Sequence, residues 1–378
     1  MSAPATLAQQ KASFSFSGRL LAAVSSFVVV AVPVVAVAWF ASVRNSQLLL
    51  AGALIGAMLA YSGVGFAGSW RRLVVGRNGR GFAATLLLLA LATALFVPVL
   101  NSWDQVAPSR GPVGASLLVG ALIFGIGMQL GSGCGSGTVI GAGSRSTHSI
   151  MVLLFFIPGS LLGALHLPWW VDFGPAATVD LAASLSPAGA VAIQLVALAL
   201  IALLVLWRCG ASNFLPSVRM VFGCLAIVGA ALIILHISGR MWSVTFAYSL
   251  WGAKAAELVG IDMSSYVFWQ SPYASKALSQ ALLADVTTVT TLGLLAGAAT
   301  VGIWKPVKPR PYRLREFQAA VLGGLLMGYG ARLAFGCNIG ALFSGIASAS
   351  LHGWIWFAVA WCGSLIGIAL RPRFGMAN

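Results

Sequence analysis

Two cysteines set in glycine-rich breaks are the residues of this chain best placed to do chemistry. The first lies in Gly120–Ser146, GALIFGIGMQLGSGCGSGTVIGAGSRS, and the second in Gly324–Ser344, GLLMGYGARLAFGCNIGALFS. Aligned on the cysteines, Gly125, Gly127, Leu130, Gly133, Cys134 and Gly137 match Gly328, Gly330, Leu333, Gly336, Cys337 and Gly340. Each copy is an apolar run, an interruption holding one cysteine, and a second apolar run. Glycine weakens a helix and permits backbone that other residues avoid, so each run can unwind there and let something come close. Broken apolar helices at matching positions of two halves point to a membrane transport site.

The chemistry follows from what such breaks expose. A helix restarting after each cysteine aims the amides of Gly135, Ser136 and Gly137, and of Asn338, Ile339 and Gly340, back toward the break. Helix N-termini attract anions. Ser132, Ser136, Thr138 and Asn338 add neutral donors. A thiol is a weak, soft and polarizable donor. Beside those amides it suits a small sulfur-containing anion that must be held and then released. Cys134 and Cys337 are therefore expected to face each other across a pathway, with Gly133 and Gly336 shaping the backbone before them.

A cysteine among glycines also serves as a small packing residue. Recurrence at one place in two repeats favours function for Cys134 and Cys337. Cys209, Cys224 and Cys362 lack the motif and read as packing. Arg332 is a charge inside the second motif, which marks function by default. Its expected role is to steer the anion or to pair with Asp285. His148 and His352 read as helix-end residues.

The elements that position these groups are legible in the composition. Of the residues, 59% are apolar and 8% charged, with a mean hydropathy of +0.95. Soluble domains carry about 25% charged residues, so the expected class is an all-α polytopic membrane protein. About nine or ten transmembrane helices are expected, with re-entrant half-helices in internal pseudo-repeats. The formal charge of +15 would suggest nucleic acid in a soluble chain. Here the basic residues gather in short loops between apolar runs, the positive-inside pattern, so nucleic acid is excluded and the bilayer is the partner. No CxxC or His/Cys metal spacing occurs among the five cysteines, so neither metal nor cofactor is expected.

In chain order, residues 1–18 read as a cytoplasmic tail and 19–373 as one transmembrane transport domain. Repeat-like units lie near 48–100, 113–170, 217–260 and 319–370. Leu20–Ser42 is a span; a signal peptide is the alternative reading, but the apolar run is long for one. Ser62-Gly-Val-Gly-Phe-Ala-Gly68 is a degenerate copy of the cysteine motif, with Gly65 in the cysteine's place. Ser243–Gly260, around Trp251-Gly-Ala-Lys254, reads as the third broken element, and Gln280–Ile303 as a span. All four breaks are expected to dip into one central cavity. Lys305, Lys308, Arg310, Arg313 and Arg315 form the strongest basic loop, and threading about ten passes with most Lys and Arg inside makes both termini expected in the cytoplasm.

These residues resemble a known family. The GCGSG and FGCNIGALFSG breaks, the GVGFAGSWRR copy and the stretch SGRMWSVTFAYSLWGAK are together similar to the YeeE/YedE sulfur-transport family, from about Gly52 to Leu370. The resemblance implies an inner-membrane importer of thiosulfate or a related sulfur compound, with re-entrant helix pairs forming an hourglass. It implies that cysteines pass the anion along by S–H···S contacts, and the two central relay positions match Cys134 and Cys337. A small cytosolic sulfur-carrier protein is a candidate partner. Thiosulfate-importing members carry a further relay cysteine in the first repeat, where this chain has Gly65, which leaves open a different sulfur or selenium species. Two other readings are an anion channel with structural cysteines and a membrane thiol oxidoreductase.

Overall fold

The computed structural model describes residues 16–305 and 312–378. Residues 1–15 of the expected tail, and Lys308 and Arg310 of the basic loop, lie outside the described residues. A first series of helices comprises α1 (Phe16–Phe40), α2 (Val43–Ser62), α3 (Ala67–Gly76), α4 (Arg80–Ser102), α5 (Ala115–Leu130), α6 (Gly135–Gly143) and α7 (Thr147–Asp172). Then come α8 (Leu181–Leu185), α9 (Pro187–Cys209) and α10 (Ala211–Phe214). The second series is α11 (Val218–Ser238), α12 (Thr245–Leu258), α13 (Pro272–Ser279), α14 (Val286–Trp304) and α15 (Leu314–Leu333). It continues through a π-helical turn at Asn338–Phe343 into α16 (Ser344–Ala347) and ends with α17 (Leu351–Leu370).

Among the described residues there is no sheet, only isolated bridges between loops. Ten segments of those residues are long and apolar enough to cross a membrane. The chain is an all-α polytopic membrane protein.

The two series interlock. α5 packs on α17 as α15 packs on α7; α6 meets α14 as α16 meets α4; α1 lies on α14 as α9 lies on α4. Small residues allow these close crossings. A Cβ on Gly125 would strike the carbonyl of Ala360 and the amide of Ser364, and one on Gly328 would strike the carbonyl of Phe156 and the amide of Ser160. Where α5 crosses α15, Gly127 faces the Gly323 carbonyl and Gly330 the Gly120 carbonyl. The glycines aligned in the sequence thus make the same contacts in both halves.

The backbone repeats too. Ser132 and Phe335 are non-glycine residues in the left-handed region, with φ of 54° and 57°, and both end the helix before a cysteine break. Arg145 and Ala349, at 64° and 52°, turn the chain after each break. Side chains other than glycine are strained there, and two matched pairs mark turns that the surrounding packing enforces. Gly63 and Gly239 stop α2 and α11 as left-handed caps, each with φ of 71°.

The third break therefore lies at Gly239–Val244, not at Trp251, which sits inside α12. Ser62-Gly63 and Ser238-Gly239 are its matching signatures. The span expected from Gln280 begins at Val286, because Asp285 caps α14 by accepting from the Thr288 amide at 2.7 Å.

Two faces are tied by loop contacts. On one, Arg80 donates to the Ser212 carbonyl, Arg219 and Lys305 both sit over the Tyr61 ring at 5.7 Å, and His148 meets the Tyr312 hydroxyl at 3.1 Å. On the other, Ser109 donates to the Gly340 carbonyl, Arg110 pairs with Asp180 at 2.6 Å, and Asn45 donates to the Leu283 carbonyl.

Candidate functional site

Each cysteine caps the helix that follows it. Cys134 has extended backbone (φ −87°, ψ −175°), and its Sγ accepts from the Gly137 amide at 3.3 Å. Cys337 has the same form (φ −101°, ψ −162°), and its Sγ accepts from the Ile339 amide at 3.5 Å. Of the amides expected to meet an anion, those of Gly137 and Ile339 thus meet a sulfur first. A sulfur at a helix N-terminus feels the positive end of the helix dipole, which favours electron-rich partners at that point. Cys134 Sγ also lies 3.4 Å from the Ser136 hydroxyl.

The two breaks meet. A Cβ on Gly135 would stand 3.1 Å from Cys337 Sγ, so glycine lets the first turn of α6 approach that thiol without crowding it. Gly137 faces Cys134 Sγ and Gly340 faces the Ser243 hydroxyl, each with a Cβ–heteroatom approach of 3.3 Å. Gly336 has φ of 153°, and a Cβ there would reach 2.5 Å from the Ala341 amide. Gly133 closes on Thr138 in the matching turn. Cys337 is fully buried and Cys134 nearly so.

α12 enters between the breaks and supplies residues that the sequence reading did not single out. The Tyr248 hydroxyl donates to the Gly135 carbonyl at 2.9 Å, with its ring edge-on to Phe156 at 4.6 Å. Thr245 accepts from Arg332 Nη2 at 2.8 Å. The signal available was a run of Thr, Tyr and Ser in the stretch read as the third break, where no cysteine marks an individual residue.

Arg332 is buried with its Nε unpartnered. It does not pair with Asp285, whose carboxylate is taken by the Tyr273 hydroxyl, the Thr287 hydroxyl and the Thr288 amide. Arg332 instead lines a cavity of about 240 Å³ with Arg240, Trp242, Ser243, Tyr273 and Thr287. The Arg240 guanidinium lies 3.9 Å from the Tyr273 ring centroid. Burial, and then the Asp285 carboxylate, push the Tyr273 hydroxyl above its ordinary pKa, so it stays protonated and donating. The Trp242 Nε1 is buried without a partner, as are both amide atoms of Asn338. Unpaired buried donors are costly and mark places where a polar guest can pair.

On the opposite side, Cys134, Ser136, Gly133 and Gly137 line a smaller cavity of about 120 Å³ with Gly65 and Ser132. The single central cavity expected from the sequence is therefore divided. Arg332 lines one cavity and Cys134 and Gly65 the other, while Gly135 and Cys337 line neither and close on each other as a waist. Cys209 and Cys224 lie away from these breaks: Cys224 donates to the Ala84 carbonyl at 3.3 Å, and Cys209 packs beside Gly79. Cys362 is exposed on α17. His352 caps a loop by accepting from the Gly111 amide at 3.1 Å. Among the described residues no group of three or more His, Cys, Asp or Glu could hold a metal ion.

A family profile described as Sulphur transport matches residues 61–366. The probable transporter YedE of Escherichia coli is 34% identical over 140 residues, 36% of this chain and 33% of that protein. The YedE protein of Salmonella typhimurium is 33% identical over 142 residues, 36% of this chain and 34% of that protein. The thiosulfate transporter TsuA of Spirochaeta thermophila is 26% identical over 331 residues, 81% of this chain and 93% of that protein. The matches to the two YedE proteins thus span about a third of their length.

Proposed function

The chain belongs to the sulphur-transport family, a transporter rather than an enzyme family, and from that premise we propose that it imports thiosulfate or a close sulfur-containing oxyanion. The observation that carries this reading is the meeting of two cysteine-capped breaks, Gly135 against Cys337 Sγ. The anion enters the cavity at Arg332, where the unpartnered guanidinium nitrogen and Trp242 Nε1 receive its oxygens. Its terminal sulfur is then offered to Cys337, and past the waist to Cys134. Sulfur is soft at both partners, so S–H···S contacts hold the anion weakly enough to release it. The waist is closed, so passage requires the Gly135 turn and Cys337 to move apart. That supports a carrier over an open anion pore.

Positive-inside orientation puts the face with Arg71, Arg72, Arg219, Lys305 and Arg371 in the cytoplasm. On this reading both termini are cytoplasmic and the membrane is an inner one. The cavity of Cys134 and Gly65 then opens inward, where a small sulfur-carrier protein would collect the product. With glycine at position 65, release follows Cys134 directly.

The test is uptake of labelled thiosulfate, sulfite and sulfate into cells lacking their own routes. Saturable thiosulfate uptake exceeding that of sulfate is expected, because only an anion with an exposed terminal sulfur engages both thiols. Equal rates for all three anions would contradict the relay and favour an anion channel.

A further inference from the structure

A third cavity lies beyond Cys134 on the basic face. It measures about 530 Å³, and Ser132, His148, Arg313, Glu316, Arg371 and Ala377 are among its lining residues. Ser132 lines this cavity and the Cys134 cavity alike, so it is their shared wall. Arg371, at the end of α17, is 5% exposed. One edge of its guanidinium holds the break: Nη1 donates to the Gln129 carbonyl at 2.6 Å and to the Ser132 hydroxyl at 2.9 Å. The other edge, Nε and Nη2, converges on a single oxygen, the carbonyl of Ala377, at 3.2 and 2.7 Å.

That second edge is the one guanidinium uses for two-oxygen recognition. A carboxylate or other oxyanion offers it two acceptors and a full charge, whereas a peptide carbonyl offers one neutral oxygen. We propose that the Nε/Nη2 edge of Arg371 is a second oxyanion site, reached from Cys134 past Ser132, and that residues 375–378 occupy it as a stand-in which the departing anion displaces. Resting on the transport reading above, it assigns the step after Cys134. It differs from the Arg332 site in being filled: Arg332 presents an unpartnered nitrogen, Arg371 a competed one.

The test measures access rather than transport. Full-length protein and a chain ending at Gly375 are treated in detergent with sulfonatoethyl methanethiosulfonate, an anion, or with its neutral methyl analogue. Labelling of Cys134 is followed by mass spectrometry. Removing residues 376–378 should speed the anionic reagent about fivefold or more, the factor that about 1 kcal/mol of released hydrogen bonding gives. The neutral reagent should change less than about twofold. Added sulfate should slow the anionic reagent in the shortened chain, and Arg371→Gln in that chain should abolish both the acceleration and the sulfate effect. Equal acceleration of both reagents would reduce the segment to a steric cover, and no acceleration of either, or no labelling of Cys134 at all, would overturn the site. Absence of thiosulfate uptake with this labelling pattern intact would instead sink the transport reading and leave the oxyanion site standing.

Discussion

The hydroxyl of Tyr248 donates to the carbonyl of Gly135 at 2.9 Å, so α12 holds the first turn of α6 from across the waist. Gly135 is the residue against which Cys337 rests. Tyr248→Phe keeps the ring on Phe156 and removes only this tether. Loss of one buried hydrogen bond costs about 1 kcal/mol, so the variant should fold and insert normally. Thiosulfate uptake should nonetheless fall severalfold, since the waist loses its register. Wild-type uptake would reduce Tyr248 to packing.

Arg332 should separate charge from geometry. Arg332→Ala removes the buried cation from the first cavity, and a hydrogen bond to a charged group is worth about 1.5–3 kcal/mol, or roughly ten- to hundredfold in apparent affinity. Arg332→Lys retains the charge without the planar fork and should lie between the two. The measurement is the thiosulfate concentration giving half-maximal uptake; equal, wild-type-like values for both variants would remove Arg332 from the pathway.

Gly65 offers a gain-of-function test. A Cβ there meets nothing within 4 Å, and the position lines the Cys134 cavity. Gly65→Cys should therefore fold without steric cost and place a third thiol beside Cys134. Faster thiosulfate uptake at unchanged expression is the expected result. A destabilised protein, or slower uptake, would show that the site has no use for a sulfur there.

The crossings of α15 and α5 with α7 and α17 should be intolerant of bulk. Gly328→Ala drives a methyl onto the Phe156 carbonyl, and Gly125→Ala drives one onto the Ala360 carbonyl. Overpacking of this kind costs about 1–3 kcal/mol, so both variants should melt lower in detergent. Gly229→Ala, where a Cβ meets nothing within 4 Å, is the matched control and should not.

The cysteine breaks were legible because two copies share glycine spacing and each carries a residue with unusual chemistry. Gly65 was legible as the worn copy for the same reason, and it does line the Cys134 cavity. The third break was misplaced because Trp251-Gly-Ala-Lys254 looks irregular, yet Gly252 only accommodates Leu161 of α7 from within a continuous helix. Its true signature, Ser238-Gly239, is a helix stop with no chemistry of its own. Thr245, Tyr248 and Arg371 were hidden for another reason. Each bonds to a partner more than 80 positions away, through crossings that only the interlocked halves create. Of the two partners expected for Arg332, Asp285 is instead engaged by Tyr273, Thr287 and Thr288, contacts between segments that the sequence does not reveal.

The central claim is that sulfur-to-sulfur contact at Cys134 and Cys337 carries the substrate, and serine tests it most directly. Serine is nearly isosteric and caps a helix N-terminus better than cysteine does, so Cys134→Ser and Cys337→Ser should preserve both breaks. It is also harder and less polarizable, so a relay that depends on sulfur should fail. The measurement is labelled thiosulfate uptake by the Cys134→Ser, Cys337→Ser double variant, with membrane insertion verified and Cys209→Ser, Cys224→Ser and Cys362→Ser as controls. Uptake near background in the double variant and near wild type in the controls is the predicted result. Robust uptake by a correctly inserted double variant would contradict the relay.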